Sequence, residues 1–582
     1  MSRIAASPNV GATTLTRHRA VLCTGLVVLV GLVYAAAVRI PFIYDDNRMV
    51  VENLAIRDLS NLRAVLILEA TRPILNLSYA IDYALFGPSA PGFHTTNVLL
   101  HALNVVLLFL LAWRLAEDEE PSTGPAVRPQ IVALTAAVLF AVHPMMTESV
   151  TYVAGRSEVL CTTFFLLAFF AARRWMLGGA RVWWLAAIAC WVAALGTKEI
   201  AAMLPFVLLA YERWVLRGRA IDRRRILWQW HAPLIGVALA GGIGRIAVLA
   251  LVEHPGDVVV QWRYALVTID VLFRYLGLLA TASGQTIFHA IPELSWGDPR
   301  AALIVALLAL IVASIWRRWH TASLGASGML WFLLLLVPSS ALVVLDRGEP
   351  MAEHRVYLAS CGLFIMAGTA LAWLSSRYEQ RRSIAAPALR ALLVVSVFIL
   401  CGRTLVRNEV WSDPLGLWAE AVERAPDHWL PHLRLGEVLH NNGRVDEAIA
   451  EYKTAISLRP VEQFAYQKLA LAYAENGRLD EARSTFAALE SQIPGSPIAA
   501  NGLGIITLMA GDPDRAQAYF LQAMSLDAGN VQARQSLAMI AERDRANPAE
   551  ALRLCEEIYR LAPRTPGNDD CIRRNRARLT SQ

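Results

Sequence analysis

Residues 429–460 read WLPHLRLGEVLHNNGRVDEAIAEYKTAISLRP, and residues 463–494 read QFAYQKLALAYAENGRLDEARSTFAALESQIP. The second stretch repeats the first, displaced by 34 residues. Gly436, Ala470 and Gly504 share one column, and Gly443, Gly477 and Gly511 a second. Ala448, Ala482 and Ala516 form a third, Tyr452, Phe486 and Phe520 a fourth, and Pro460 and Pro494 close their repeats. A fixed period of this length marks stacked helical hairpins. Small residues at the close helix contact and an aromatic at the packing position are what such a stack requires. A fourth copy, with about one inserted residue, runs through Ala551 and Cys555 to Pro563, and a half copy runs from Trp411 to Pro426. The array therefore covers 411–564, with a tail over 565–582.

These columns are those of tetratricopeptide (TPR) repeats. Such arrays bind extended peptides or partner proteins, but the fold alone names no partner.

Ahead of the array the composition changes. The chain of 582 residues is 56% hydrophobic, more than a soluble domain usually carries. Apolar runs of membrane-crossing length fall at about 20–38, 95–113, 129–146, 158–172, 181–197, 199–216, 231–251, 300–316, 327–345, 355–374 and 389–405, each near the ~20 residues that cross the hydrocarbon. The expected fold is all-α: a polytopic membrane bundle of about eleven spans over 20–405, followed by a soluble solenoid. Residues 1–19 form an N-terminal tail. Ala35–Ala37 resembles a signal cleavage site, but the first run exceeds a signal core and more spans follow.

Arg173/Arg174, Arg217 through Arg225, Arg317/Arg318, and Arg377 with Arg381/Arg382 follow alternate spans. Placed in the cytoplasm, they put the N-terminus inside and the repeats on the far side. A twelfth crossing at 264–282 would break that pattern. This stretch reads as a re-entrant or interfacial helix carrying Arg263 and Arg274. The net charge of +6 is spread as topogenic clusters and does not point to nucleic acid. The seven cysteines show no metal-ligand spacing. Cys555 and Cys571 can pair if the repeats occupy an oxidising compartment.

With this topology the polar motifs all face the compartment of the repeats. Asp45 and Asp46 follow the first span in PFIYDD; they suit a general base or a solvated cap. The next loop holds Arg72 in TRP and His94 in GFHTTN. His143, Glu148, Tyr152, Arg156 and Glu158 follow the third span. On a continuous helix over 145–158, Glu148, Tyr152 and Arg156 would share one face, as an anion or sugar-phosphate site or as an internal ion pair. Lys198 and Glu199 sit between two spans, and Glu353, His354 and Arg355 enter another. Five such motifs on one membrane face suggest a site.

PFIYDD, TRPILNLSYAIDY, FHTTNVLLHALNVVLL, FAVHPMMTESVTYVAGRSEVL, GTKE and EHRVYLAS, in this order before a repeat array, resemble the transmembrane-and-TPR-containing O-mannosyltransferases and their bacterial relatives. The resemblance runs from about 38 to 564. It implies a GT-C glycosyltransferase that takes a sugar, mannose by the family, from a polyprenyl-phosphate carrier on the extracytoplasmic side. It implies Asp45 as catalytic base and Asp46 as its neighbour. Arg156, Lys198 and Arg355 are the expected donors to the lipid phosphate. Arg72, His94, His143, Glu148, Glu199, Glu353 and His354 are expected to position sugar or acceptor. No metal or other cofactor is expected, because the carrier is a monophosphate. The expected partners are the lipid-linked sugar, a polypeptide acceptor in the TPR groove and the bilayer, in a bacterial inner membrane or, in a eukaryote, the ER. A non-enzymatic scaffold and an envelope glycan or lipid transferase or flippase remain as other readings.

Overall fold

The computed structural model describes residues 10–67, 72–119, 128–248, 264–317, 323–344, 349–562 and 565–580. Thr71, Arg263, Arg318, Pro563 and the ends of the runs expected at 231–251 and 327–345 lie outside them. Among the described residues the secondary structure is helical, with no strand. The chain divides into two compact units, Met1–Asp413 and Pro414–Gln582.

The first unit begins with α1 (Val10–Val33), so a helix starts well before residue 20, where a tail was expected. Short α2 (Leu62–Ile67) and α3 (Pro73–Phe86) follow, then α4 (Ala90–Asp118), α5 (Pro129–Val142), α6 (Thr147–Thr151), α7 (Arg156–Met176), α8 (Arg181–Leu195), α9 (Leu204–Ala210), α10 (Arg223–Ile226) and α11 (Ala232–Val248). The unit closes with α12 (Tyr264–Thr281), α13 (Pro299–Arg317), α14 (Leu324–Val344), α15 (Tyr357–Gln380) and α16 (Ala385–Ser412). Helices α4, α5, α7, α14 and α15 form its packed centre. Gly328 and Gly362 let α14 and α15 cross closely: a Cβ on Gly328 would meet the Gly362 carbonyl at 2.3 Å. Small residues at crossings are how apolar helices gain contact where the surroundings are equally apolar.

Among the described residues six helices are long and apolar enough to cross a membrane, seven if one bent pair counts. The expected number was eleven. Several expected spans are interrupted. The run 199–216 is a 3-10 turn, α9 and a π-helical turn in succession. The helix at 181–195 is shorter than a full span. The run 129–146 bends by 60° after α5, where Pro144 cannot donate to the helix ladder. Residues 264–281, expected to be a re-entrant or interfacial helix, form one regular helix that meets the length and hydropathy required to cross. Its Arg274 pairs with Asp270, one turn away, at 2.6 Å.

The second unit opens with α17 (Pro414–Arg424) and continues as four hairpins. These are α18 (Trp429–Asn441) with α19 (Val445–Leu458), α20 (Gln463–Glu475) with α21 (Leu479–Gln492), α22 (Pro497–Met509) with α23 (Pro513–Leu526), and α24 (Val531–Arg543) with α25 (Pro548–Leu561). Gly443, Gly477 and Gly511 occupy the hairpin turns at φ 75°, 72° and 86°, a region cheap only for glycine. A Cβ on Gly436 would meet the Tyr452 ring at 2.6 Å, and one on Gly504 the Phe520 ring at 2.6 Å. The stretch 565–582, expected as a tail, instead carries α26 (Asn568–Thr580). It packs on α25 and is tied to it by the disulfide Cys555–Cys571. The reason is apolar: Cys571 joins the buried cluster of Leu537, Leu554 and Cys555 and covers the open end of the last hairpin.

Candidate functional site

After α1 the chain makes a 3-10 turn over Ala35–Arg39 and runs irregularly to Tyr44, whose φ is 50°. A non-glycine residue in the left-handed region costs roughly 1 kcal/mol or more and persists only where its surroundings impose it. Here the next residues are held from both sides. The buried Asp46 carboxylate accepts from the Ile43 N–H at 3.2 Å and from the Ala154 N–H at 2.7 Å. The Asp45 N–H donates to the Tyr152 hydroxyl at 3.0 Å. Tyr152 in turn stacks on Tyr44 and Trp411. Asp46 is thus an internal clamp between two segments 108 residues apart, and the adjacent Asp45 side chain is exposed. Burial pushes the Asp46 carboxyl up to about 8; the backbone donors Ile43 and Ala154 oppose the rise and Asp45 adds to it.

Asp45 lines a cavity of about 360 Å³ whose other walls include Arg48, Arg72, Tyr152, Glu158, Lys198, Glu199, Ser339, His354 and Arg355. Residues from every expected motif except His94 and His143 therefore reach the cavity or hold its walls. Lys198 pairs with Glu158 at 2.6 Å, and Arg72 faces Glu199 at 3.6 Å. Arg355 donates to the carbonyls of Glu349 and Pro350 at 2.7 and 3.4 Å and pairs with no carboxylate among the described residues. The Arg48 side chain makes no hydrogen bond or ion pair among the described residues and is exposed. Four cations thus meet three carboxylates at the cavity wall. Two of the carboxylates are already engaged, Glu158 by Lys198 and Glu199 by Arg72, which leaves Asp45, Arg48 and Arg355 as the cavity's charges outside those pairs. Glu349 stands behind this wall, accepting from Tyr44 Oη at 3.4 Å. Burial, then repulsion from Glu148, raises its carboxyl to about 7, against the pull of Arg355.

Other expected site residues have structural duties. Arg156 is fully buried and does not line the cavity. It pairs with buried Asp82 at 2.6 Å, donates to Asn97 Oδ1 and the Phe93 carbonyl at 2.7 Å each, and lies over the Tyr79 ring. The helix face expected for Glu148, Tyr152 and Arg156 is not formed, because Tyr152 is extended and a 3-10 turn separates α6 from α7. Glu148 instead accepts from the His354 backbone N–H at 3.2 Å and meets His354 Nδ1 at 2.6 Å. Glu353 accepts from the Thr286 N–H at 2.7 Å and meets His289 Nε2 at 2.9 Å, tying down the segment after α12. His143 caps the turn at the bend by accepting from the Met145 N–H, and its Nε2 meets the Leu279 carbonyl at 2.9 Å. His94 is buried beside Phe42. Glu148 and Glu353 hold neighbouring segments through these bonds, His354 itself lines the cavity, and His94 and His143 do not.

Sequence reasoning missed Asp82 and Arg48. Asp82 had a signal, as the one charge in the otherwise uncharged α3. Arg48, an ordinary-looking loop arginine, had none.

With this geometry in view, the chain can be set beside known proteins. A TPR repeat profile matches residues 426–477 and a tetratricopeptide repeat profile matches 468–530. The protein O-mannosyl-transferase TMTC4 of Mus musculus is 25% identical over 478 residues, covering 71% of this chain and 63% of its own length. Tmtc3 of Drosophila melanogaster, also a protein O-mannosyl-transferase, is 23% identical, covering 67% of this chain and 48% of its own. By sequence the chain is similar to these transferases. It spans about half to two-thirds of the length of the curated relatives it matches. Among solved structures, a thermophilic TPR protein of Thermus thermophilus overlaps 33% of this chain and 94% of its own at 20% identity, with a TM-score of 0.25, too little overlap to carry an argument.

Proposed function

We propose that the chain transfers a sugar, mannose by analogy with the names of its relatives, from a polyprenyl-phosphate carrier to Ser or Thr hydroxyls of polypeptides. The observation that carries this reading is the cavity lined together by exposed Asp45 and by Arg48, Arg72, Lys198 and Arg355. Asp45 takes the acceptor hydroxyl proton. The oxygen forms a bond to the anomeric carbon as that carbon's bond to phosphate breaks, and polyprenyl phosphate leaves with the electron pair. The charge gathering on its oxygens is met by cations fixed beforehand, which is where such sites gain most. Arginine offers the phosphate a planar fork and lysine a point charge. Arg48 takes the place in this scheme that was expected of Arg156. Asp46 keeps the loop in shape and, uncharged near neutral pH, spares Asp45 a further negative charge beside it. These cations supply the charge stabilisation, so the reading assigns no metal.

The cavity residues belong to the extracytoplasmic face in this reading, and the repeats to the same compartment, a periplasm if the host is bacterial. The disulfide Cys555–Cys571 supports that placement, since such bonds persist in oxidising compartments. The repeats present the acceptor. The test is transfer of radiolabelled mannose from polyprenyl-phosphate mannose to a panel of envelope proteins by purified full-length chain, with Asp45→Asn in parallel. Transfer by the wild type and none by an equally folded variant supports the reading. Equal transfer by both removes Asp45 from the role of base.

A further inference from the structure

A second group of cations stands at the other end of the helices that frame the cavity. Ser157 and Glu158 at the start of α7, and Lys198 just past the end of α8, line the cavity. Arg174 lies near the far end of α7; at ~1.5 Å per residue it is about 24 Å along the helix from Glu158. Arg181 opens α8 at that same end. The loop that leads to α10 is held there too, because Arg219 donates to the Glu117 carbonyl at 2.9 Å, beside the Arg173–Asp118 pair. The carboxylates around this loop are engaged. Asp118 meets Arg173 at 2.5 Å and Tyr211 Oη at 2.7 Å, Glu117 meets Arg19 and Arg114 at 2.8 Å each, and Glu212 pairs with Arg223. Asp222 caps α10 by accepting from the Arg225 N–H at 2.9 Å. Arg174, Arg181, Arg224 and Arg225 are exposed and pair with no carboxylate among the described residues.

Two of these four arginines are fixed by aromatic rings. The Arg174 guanidinium lies 5.3 Å from the Trp183 ring centroid, and that of Arg225 lies 4.8 Å from Trp175. Arg225 Nε also donates to Gln229 Oε1 at 3.3 Å, and Trp184 Nε1 donates to the Gln229 carbonyl at 3.1 Å. Arg174 and Trp175 are consecutive, as are Trp183 and Trp184, so α7, α8 and the π-helical turn Leu227–His231 bring both guanidiniums into one small area. An arginine laid on a ring has already given up rotamer freedom and keeps its edge of N–H donors open. Such a pair is a preformed seat for phosphate oxygens. The surroundings are apolar. Trp228 is 67% exposed and Trp183 39%, with exposed Val182, Leu185 and Leu227 close by in the chain. Indole rings at the end of a membrane bundle sit at the level of the headgroups. A soluble anion would leave this apolar surface uncovered, whereas acyl chains would cover it. A zwitterionic headgroup would bring its own ammonium to guanidiniums that lack a carboxylate, so a net negative headgroup fits better.

We propose that Arg174, Arg225 and the tryptophans around them bind the headgroup of an anionic phospholipid, at the end of the bundle opposite the cavity. The inference stands apart from the transferase reading. The test is native mass spectrometry of the full chain released from detergent micelles that hold equal amounts of phosphatidylglycerol and phosphatidylcholine with matched acyl chains. Wild type is expected to retain phosphatidylglycerol at least about tenfold over phosphatidylcholine. Arg174→Gln with Arg225→Gln is expected to cut that preference at least about fivefold. Arg381→Gln with Arg382→Gln removes the same charge from the turn after α15, where neither arginine lies over a ring among the described residues, and is expected to leave the preference unchanged. Arg174→Lys with Arg225→Lys keeps every charge but loses the planar fork, and is expected to lose at least about threefold. Melting of each variant in lipid-free micelles near the wild-type temperature confirms folding, and Arg174→Gln alone replaces the pair if it does not fold.

No preference in the wild type overturns the proposal. So does a preference lost equally in the Arg381/Arg382 variant, or kept in full by the lysine pair, since the attraction is then a general one of basic residues for an anionic leaflet. Displacement of the bound lipid by millimolar inorganic phosphate overturns it as well, because a soluble anion then fills the seat without acyl chains.

Discussion

Removing one member of the Arg156–Asp82 pair tests whether Arg156 holds the fold or the substrate. Both side chains are buried, at 0% and 4% exposure, and meet at 2.6 Å. In Asp82→Ala the guanidinium keeps its bonds to Asn97 and the Phe93 carbonyl but loses its counter-charge. A buried charge so stranded costs about 3–5 kcal/mol. That is a shift of roughly two to four orders of magnitude in the folded-to-unfolded ratio. Arg156→Ala strands the carboxylate and should cost as much. Arg156→Met with Asp82→Leu removes both charges and should recover most of the loss, because an apolar pair of similar volume pays no desolvation. The assay is unfolding of the full chain in mixed micelles as SDS is titrated, followed by tryptophan fluorescence, for wild type, both singles and the double. If Arg156→Ala unfolds with the wild type and only donor binding suffers, Arg156 serves the substrate and the structural assignment is wrong.

Asp45→Asn should lower transfer by about 10²–10⁴-fold with the unfolding curve unchanged; a normal rate excludes it as base. Burial raises the Asp46 carboxyl from 3.8 to about 8, so the acid is neutral at pH 7 and ionises as pH rises through 8. The stability this neutral form contributes is full below about pH 4 and is lost progressively up to pH 8. Wild-type transfer should accordingly fall above pH 8, and Asp46→Asn should hold its rate there; matching alkaline limbs in both would refute this. Arg48→Ala should raise the donor KM about tenfold or more, because a charged hydrogen bond to phosphate is worth ~1.5–3 kcal/mol; an unchanged KM places the phosphate elsewhere. Reduction of Cys555–Cys571, 16 residues apart, should cost the repeat unit about 3 kcal/mol and expose both thiols to maleimide labelling. Labelling without reductant would show that the bond is absent.

Much of the second unit was legible because its constraints are local. A 34-residue period puts Gly436 against Tyr452 and Gly504 against Phe520 within single hairpins, and each contact repeats, so one sequence carries its own comparison. Helix α26 escaped because the capping helix departs from that period. In the first unit, apolar runs revealed helices but not where they break, since Pro144 and the π-helical turns near 211–215 and 227–231 interrupt stretches that remain apolar. The polar motifs were visible, but their partnerships were not. Arg156 finds Asp82 across 74 positions, and His354 finds Glu148 across 206. Periodicity carries no trace of pairings at such range. Charge bookkeeping could put five motifs on one membrane face, but only the fold separates Arg355, which fronts the cavity, from Glu353 beside it, which faces the segment after α12.

The glycine turns at Gly443, Gly477 and Gly511 have a consequence for how such a chain can change. Each hairpin touches mainly its neighbours, so an in-frame duplication of one period adds a working module without disturbing the others, and lengthens the array by one step. No such unit can be cut from the first body, where a single residue such as Asp46 ties together segments from distant parts of the chain. Breadth of recognition can therefore be adjusted by copying, while the cavity can be adjusted only by substitution, one side chain at a time.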